Sequence, residues 1–551
     1  MEELTADALL KRYNEAQGTM LQWMNLLQST YDLVLPNQGK FANRERLPGQ
    51  IYTNHVYDWT AVTAAQKYAS NLMSNLMPTG TQWANFKPGP SLAKQGEEAP
   101  QEVKEVLQFY QDTLFSLLNR SNFNLAAHQS LTEMSISTGV LLINEGPDKD
   151  HPFTFTSVPL HEVCFEGNTG TGEIKNVYRK FKLPGEYITT TWPSAQLGAE
   201  TLAMIERSPT VALDVIECTV FHEDLPKDKQ WCYTVLVEAT KDMIIQDYRS
   251  YSPWIIFRPH VYSGELLGRG VMLNMLAAIR TLNRLAEDEL RLNTFLSKPI
   301  FLSASGSGAL NPYTTRIEPG SIIPFQGEGQ NGQPPISQLT IQGNLQYSQL
   351  NRQEIKQELI SALGINPVSP TDSPGKTATE MKLLDAEWQR HNQELAGRLQ
   401  RELCFSVLDK CFRICSRFGY WKALHIDGKH IDIEFVSPIN DYQSTIDVQK
   451  VVSYAQTMNE VLGPQAAMQA ISYGLDATKL PTWIAEKMHL PVDIIRDALG
   501  RQEFMQQIQQ QQQPQQGESP NGQQGQQPGQ PGLAGAAGAT QSTEQQGTPG
   551  L

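Results

Sequence analysis

Apolar residues recur every third or fourth position over long stretches of this chain, and this spacing predicts amphipathic helices. The clearest stretch, Val271–Leu296, contains no Pro or Gly and is closed by Ser297–Pro299. About 26 residues at 1.5 Å per residue make a rod of about 39 Å. A second helix is predicted over Asn344–Leu363, where Gly364 can form a left-handed cap and Pro367 follows. These two helices are referred to below as the rods.

Before the first rod, the pattern changes from helical to alternating. Helices are predicted over Leu4–Leu35, His55–Met77 and Glu102–Thr138. Between Phe153 and Tyr262, short alternating runs separated by Gly, Asn and Pro predict an antiparallel sheet. Helices followed by strands indicate an α+β fold.

Between the rods the chain is rich in Gly, Pro and Ser and predicts a small, turn-rich module. Its strand-like pieces lie at 300–302, 321–323 and 336–341.

After the second rod, Ile365–Lys376 contains three prolines and is predicted to be a loop. Thr377–Glu380 forms a capping box for a helix that reaches about Phe418, with Gly397 as a candidate kink. A short strand and four helices are predicted at 431–438, 446–461, 465–473, 480–488 and 492–499. From about Gln506 the composition collapses to Gln, Gly and Pro, which predicts a disordered tail.

Composition sets bounds on size and location. A chain of 551 residues predicts two to four structural sections. No apolar run approaches the length of about 18 residues needed for a membrane span. The acidic N-terminus lacks the features of a secretory signal, so we expect synthesis in the cytoplasm. The net charge of −14 argues against tight, nonspecific nucleic-acid binding. Acidity also serves solubility, so charge alone does not decide the function.

No catalytic, cofactor or metal site is predicted. Gly375–Thr377 resembles the end of a phosphate-binding loop, but Pro370 occupies the position of the first glycine. The glycines of Gly167–Gly172 lie between strands and predict a hairpin turn. Carboxylate pairs such as Asp288-Glu289 are expected on solvated helix faces. Cys411 and Cys415 are one turn apart without further zinc ligands and are expected to be buried thiols.

The segment Ser263–Gly270, which precedes the first rod, resembles the corresponding segment of portal, or head-to-tail connector, proteins of short-tailed, T7-like bacteriophages. Four further motifs fall in the order that this family shows. They are Tyr57–Thr60 with the helix to Pro78 and Trp83, Pro253–Arg258, Thr377–Glu380, and Phe435–Ile439. Together the five motifs cover roughly residues 1 to 500.

The resemblance implies an elongated α+β protomer built from several sections. These would be a helical, then β-rich wing (1–262), stem helix 1 (263–297), a small α/β clip (298–343), stem helix 2 (344–364), a tunnel loop (365–376), a long wing helix and strand (377–436), a helical crown (437–500) and a disordered tail (501–551).

The resemblance also implies a role in the virion. Portal proteins form a dodecameric ring at the unique capsid vertex, through which double-stranded DNA is packaged and ejected. The implied partners are further copies of the chain, the large terminase subunit, tail or adaptor proteins, and the major capsid and scaffold proteins. The family is not enzymatic, and no cofactor is expected.

Several residues acquire expected roles through the resemblance. Lys376 and Lys356 are expected to approach DNA phosphate, while Asp372 and Glu354 oppose lasting contact. The expected tunnel-loop residues are Asn366, Pro367, Ser369, Pro370, Thr371, Asp372 and Lys376. The expected stem residues facing the channel are Glu354 and Lys356. The wing–stem junction is expected at Gly268, Arg269 and Gly270, and clip docking at Tyr313, Arg316 and Glu318.

Two other interpretations remain open. The chain could be a virion protein without a channel, such as a tail or scaffold component. It could also be a packaging nucleotide hydrolase, which would require a complete phosphate-binding loop with catalytic carboxylates.

Overall fold

The computed structural model describes residues 5–38, 41, 49–50, 52–89, 101–304, 318–325, 336–338, 345–364, 393–421, 431–436, 447–463, 474–475 and 480–488. Several predicted features lie outside these ranges. They are the loop 365–376, the capping box 377–380, the helices 465–473 and 492–499, and the tail.

The N-terminal part is helical, as predicted. Its helices are α1 (Ala6–Val34), α2 (Thr60–Leu76), α3 (Gln101–Arg120) and α4 (Phe123–Met134).

The prediction of one helix over Glu102–Thr138 is wrong, because the chain breaks at Ser121 and Asn122. The Asn122 side chain accepts a hydrogen bond from the Phe155 N–H at 2.9 Å and donates one to the Phe155 carbonyl at 2.7 Å. This amide therefore pairs with a strand backbone instead of continuing the helix.

The region predicted to be β-rich, 153–262, forms two antiparallel sheets together with one strand that precedes it and was not predicted. The smaller has the order β3-β2-β9, with β2 at Gly139–Asp148, β3 at His151–Ser157 and β9 at Trp254–Phe257. The larger is a meander of five strands, β4 (Val163–Asn168), β5 (Glu173–Pro184), β6 (Ala212–Phe221), β7 (Trp231–Val237) and β8 (Met243–Arg249). The predicted hairpin turn at Gly167–Gly172 is confirmed between β4 and β5, with Gly172 at φ +69°.

Two short helices in this region were not predicted from the sequence. They are α5 (Gly185–Thr191) and α6 (Ala199–Arg207), and both lie between β5 and β6. Ile188 of α5 is buried in a second, small core with Val215 and Val235 of the large sheet. These helices therefore cover the apolar end of that sheet, which explains their position.

Both predicted rods are present. The first is a short helix α7 (Val271–Asn274) followed by α8 (Leu276–Ser297), with Met275 between them at φ −90°, ψ 11°. The second is α9 (Leu345–Ala362), and Gly364 adopts the predicted left-handed conformation at φ +62°. Most of the predicted apolar stripe of the first rod is buried, at Met272, Leu276, Ile279, Leu282 and Ala286.

A small mixed sheet lies next to the rods in sequence. Its strands are β10 (Phe301–Ala304), β11 (Ile322–Phe325) and β12 (Ile336–Gln338), in the order β11-β10-β12. Three strands were predicted here, and the structure confirms them.

The part that follows the loop returns to the N-terminal helices. A helix over 393–399, termed α10, continues through a π-helical turn at Gln400–Phe405 into α11 (Ser406–Arg417). Strand β13 (Ile431–Phe435) pairs antiparallel with β1 (Ala84–Pro88). This pairing joins segments about 350 residues apart into the same core.

Two further helices lie toward the C-terminus, α12 over 447–463 and α13 at Leu480–Lys487. Within the described ranges, no helix is both long and apolar enough to cross a membrane.

Candidate functional site

The junction between the β-rich part and the first rod is built by close backbone contact. A Cβ atom on Gly270 would lie 2.1 Å from the Ser135 carbonyl oxygen. The Gly270 N–H donates to the Ile136 carbonyl at 2.8 Å, and the Gly268 N–H donates to the Thr138 hydroxyl at 2.9 Å. The backbone at 268–270 therefore lies directly against the turn that follows α4.

Arg269 anchors α1 to this junction. Its guanidinium donates two hydrogen bonds to Glu265, at 2.8 and 2.6 Å. The same group lies 4.9 Å from the ring centre of Trp23 on α1 and 5.7 Å from that of Tyr262. A planar cation can satisfy a carboxylate and stack on aromatic rings at once, which favours arginine over lysine here.

A second arginine, Arg258, joins four segments behind the junction. Its guanidinium donates to the carbonyls of Gly172 and Leu266, at 2.7 and 3.1 Å, and to a Glu402 oxygen at 3.1 Å. The Arg258 N–H donates to the other Glu402 oxygen at 2.8 Å. Glu402 lies in the π-helical turn, where the wider winding changes the direction of side chains. The sequence carried no signal for Glu402.

The two rods are held together by a buried carboxylate. Glu289 on α8 is 8% exposed and accepts hydrogen bonds from the Ser348 hydroxyl at 2.9 Å and the Arg352 guanidinium at 2.5 Å. The prediction that Asp288-Glu289 is a solvated pair is therefore wrong for Glu289. The reason is that α9 packs over this side of α8, and only the tertiary structure brings α9 there.

A short loop before α2 is fastened to both rods. The Asn283 side chain on α8 accepts from the N–H groups of Tyr57 and Asp58, at 2.7 and 3.2 Å, and donates to the His55 carbonyl at 2.9 Å. Asp58 lies 2.9 Å from the Lys356 ammonium on α9.

The Asp58 carboxylate is also bonded to α2, because it accepts from the Thr60 N–H at 2.9 Å. Burial by itself raises the pKa of Asp58, but the hydrogen bonds from Thr60 and Lys356 outweigh it and lower that pKa. The carboxylate therefore stays charged and links α2, the loop and the second rod.

These contacts place Lys356 and Glu354, the two stem residues expected to face a channel, in different surroundings. The Lys356 ammonium is engaged by Asp58, whereas Glu354 is exposed. Residues two apart on a helix point about 160° away from each other. The expected role of Lys356 toward phosphate remains a prediction.

Most of the other expected site residues lie outside the described residues, namely Tyr313, Arg316 and all seven tunnel-loop residues. Glu318 is described, and it is exposed just before β11.

An open groove of about 440 Å³ runs along α8 beside this loop. It is lined by Leu33, His55 and Tyr57 and by the polar α8 residues Arg280, Asn283, Arg284, Glu287, Asp288 and Arg291. Glu287 and Arg291 pair with each other at 2.5 Å. In the described part of the chain, neither Arg280 nor Arg284 has an ion-pair partner.

Glu133 and Lys410 are buried ionisable groups whose pKa values are shifted by burial. Burial raises the pKa of Glu133 to about 8, although its carboxylate accepts from the Leu160 N–H at 3.1 Å. Burial lowers the pKa of Lys410 to about 7, and its ammonium donates to the Trp254 carbonyl. Each group is enclosed by the core.

The predicted burial of Cys411 and Cys415 is confirmed, and all six cysteines are buried free thiols. Among the described residues, no group of three or more His, Cys, Asp or Glu side chains could hold a metal ion. The arrangement that the structure builds is a helix pair braced at its base against a helical and β-rich section.

Comparison with known proteins identifies relatives over nearly the whole chain. The model of the family described as bacteriophage head to tail connecting protein matches residues 6–495. A probable portal protein of Bordetella phage BPP-1 is 20% identical over 493 residues, which cover 84% of each chain. Among solved structures, a chain of the virion of a native gene transfer agent particle aligns with a TM-score of 0.31 and 10% identity, covering 75% of this chain and 91% of its own. A structural similarity at that level supports no conclusion about function.

Proposed function

Because this chain belongs to the family of bacteriophage head-to-tail connecting proteins, we propose that it is a portal protein. In this role it forms a dodecameric ring at the unique vertex of a short-tailed phage capsid. The predicted resemblance to connector proteins is confirmed by the family match over residues 6–495. That match is the observation on which the proposal rests. The probable portal protein of Bordetella phage BPP-1 supports it independently.

The ring encloses a channel for double-stranded DNA during packaging and ejection. The braced rods support this role, because Glu289, Asn283 and Asp58 tie them to each other and to α2. A helix pair held at several points resists bending when it lines a passage. The net charge of −14 limits retention of the duplex, since phosphate is bound through cations.

The sections take the places that the family picture assigns. The part before residue 263, with 377–436, forms the wing, and the pairing of β1 with β13 supports this grouping. The rods form the stem, and 298–343 forms the clip. Residues 437–500 form a crown that faces the capsid interior, where the major capsid and scaffold proteins lie.

The clip provides the docking surface of the ring. The large terminase subunit binds it during packaging, and tail or adaptor proteins bind it afterwards. Tyr313, Arg316 and Glu318 are proposed to make these contacts, and the exposure of Glu318 supports its availability.

The loop 365–376 narrows the channel. Its three prolines stiffen the backbone without fixing it in a helix. In the proposed ring, the twelve copies of Lys376 approach phosphate, and Asp372 prevents lasting contact.

Electron microscopy of the purified full-length protein tests the proposal. We expect rings with a central opening, and class averages should give the subunit number. Solid particles or monomers under capsid-assembly conditions would contradict a channel and favour a structural virion protein without one. An ATP-turnover assay on the same sample should show no activity above the buffer background, since no complete phosphate-binding loop is present in the sequence.

A further inference from the structure

Two pairs of like charges are exposed on the rods. Arg280 and Arg284 are one turn apart on α8, and Glu354 and Glu358 are one turn apart on α9. None of the four has an ion-pair partner among the residues that the structure describes. Like charges four residues apart on a helix repel each other. Within the described residues, each like-charged pair would therefore be stabilised by opposite charges from a neighbouring copy.

The two pairs lie on opposite flanks of the rod pair. Glu289 points from α8 toward α9, where it binds Arg352. At about 100° per residue, Arg280 lies about 180° around α8 from Glu289. By the same count, Glu354 lies about 160° around α9 from Arg352. Arg284 lies about 140° from Glu289, and Glu358 lies about 120° from Arg352. The arginines therefore face away from α9, Glu354 faces away from α8, and Glu358 faces to the side.

The two pairs also lie at the same height along the rods. Glu289 contacts Ser348 and Arg352, whereas Asn283 and Lys356 meet at Asp58. Asn283 precedes Glu289 on α8, whereas Lys356 follows Ser348 and Arg352 on α9. The two rods are therefore antiparallel.

Asn283, which shares the height of Lys356, lies within the turn from Arg280 to Arg284. Lys356 lies midway between Glu354 and Glu358. The two charge pairs are therefore centred within about one residue rise of each other, about 1.5 Å.

We propose that α8 of one copy docks beside α9 of the next copy, with Arg280 and Arg284 facing Glu354 and Glu358. This inference rests on the proposed function, because it takes the ring as its setting. The spacing of about 6 Å within each pair is the same, so the four charges can meet in register. Equal heights allow identical copies to repeat around an axis without a shift along it, which is the condition for a closed ring.

The proposal changes the expected neighbour of Glu354. From the sequence, Glu354 is expected to face DNA in the channel. In the proposed interface, it instead faces the arginines of the next subunit. Complementary charges across an interface set the register and suppress wrong pairings. The arginine and glutamate pairs would then select side-by-side, same-direction neighbours over any other packing of the rods.

Two charge-reversed proteins test the interface. The first carries Arg280→Glu and Arg284→Glu, which makes both flanks acidic. The second carries Glu354→Arg and Glu358→Arg, which makes both flanks basic. Each alone places like charges at every contact, so the ring fraction should fall at least about tenfold at low ionic strength. An equal mixture of the two should assemble again, because an alternating ring makes every contact complementary.

Native mass spectrometry and negative-stain microscopy of the full chain measure the ring fraction, and thermal melting checks that each subunit folds. Arg207→Glu with Lys227→Glu is the matched control, because it makes the same change in charge at exposed positions far from the rods in sequence. This control should assemble like the unchanged protein. If a reversed subunit fails to fold, the Arg280→Gln and Arg284→Gln protein should still show ring assembly that is weaker and less sensitive to salt.

The outcomes separate this inference from the proposed function. Either reversed protein assembling alone at the normal level would overturn the interface and leave the ring intact. A mixture of the two reversed proteins that fails to form rings would also overturn the interface. An arginine-reversed protein that forms rings normally but loses DNA would do the same. Failure of the unchanged protein to form rings would instead overturn the proposed function.

Discussion

At the scale of single residues, Gly270 shows why the junction needs a glycine. Its backbone, at φ −76° and ψ 163°, is one that any residue can adopt. The requirement is therefore for space, because a Cβ would lie 2.1 Å from the Ser135 carbonyl oxygen. Neither backbone segment can move easily, since the Gly270 N–H and the Met272 N–H are both bonded to this turn.

We expect Gly270→Ala to lower the free energy of unfolding by about 1–3 kcal/mol, as overpacking in a core does. The ring yield should fall with it. Gly18→Ala is the control, because nothing lies within 4 Å of its added Cβ and it lies inside α1. That substitution should be neutral or stabilise by up to about 1 kcal/mol. Chemical denaturation of both variants measures the difference, and equal stability of the two would refute the packing argument.

Glu133 makes a second prediction at this scale, on the dependence of stability on pH. Its pKa rises from 4.5 to about 8 on burial. Between these values the folded protein keeps a proton that the unfolded chain releases, so stability falls as the pH rises. Glu133→Gln retains an acceptor for the Leu160 N–H and has no such proton to lose.

The variant should match the unchanged protein near pH ~5 and exceed it by on the order of 1–4 kcal/mol near pH ~8. Melting temperatures across this range provide the measurement. Glu105→Gln, at an exposed position of α3, should give a difference that does not change with pH. If the stability difference between Glu133→Gln and the unchanged protein instead grows as the pH falls, the Glu133 carboxyl is charged in the folded protein.

At the scale of elements, the contact between the rods depends on a charge that is mostly hidden from water. The Glu289 side chain is 9% exposed and that of Arg352 is 31% exposed. Among the described residues, removing the arginine leaves the Glu289 carboxylate with the Ser348 hydroxyl as its remaining side-chain partner. An unpaired buried charge destabilises more than the pair itself stabilises.

Arg352→Met should therefore destabilise by about 1–3 kcal/mol, less than for a fully buried pair because the arginine is partly exposed. On a Glu289→Gln background the same change should be much less harmful, and a double-mutant cycle measures the coupling. The exposed pair Lys175–Glu223, with side chains 40% and 72% exposed, is the control. Its coupling should be much weaker than that of Glu289 and Arg352. Similar coupling in the two pairs would show that burial is not the cause.

At the scale of the whole molecule, subunit assembly and DNA retention depend on different parts of the chain in the proposed ring. In the proposed ring, the rods make contacts between subunits, whereas the loop 365–376 narrows the channel. Deleting residues 366–375 should leave the ring fraction unchanged and reduce the DNA retained in filled capsids. Ring counts by microscopy and packaged DNA per particle measure the two effects. Loss of rings on deletion would count against the loop as a constriction.

Much of the fold could be predicted from local patterns. The rods were predicted from apolar spacing, the hairpin from the glycines at 167–172, and the cap of the second rod from Gly364. These features depend on neighbours within a few residues, so the sequence carries their signal directly. The break at Ser121–Asn122 was missed because the Asn122 amide binds Phe155, which is 33 residues away.

The polar contacts of the candidate site were less predictable. Glu289 looked like an ordinary surface carboxylate, and Glu402 had no distinguishing neighbour in the sequence. Their partners, Arg352 and Arg258, are 63 and 144 residues away. A single sequence does not state which charged side chains will be covered by a distant element.

By itself, then, the sequence determined the order and type of the principal elements and the family, because periodicity, caps and motif order are local or linear properties. The tertiary structure alone decided which charges are paired and which are left facing outward. That decision depends on the packing of α9 against α8 and of the loop at Tyr57 and Asp58 across both rods. Burial changes the free energy of a charge only when an element from elsewhere in the chain removes it from water.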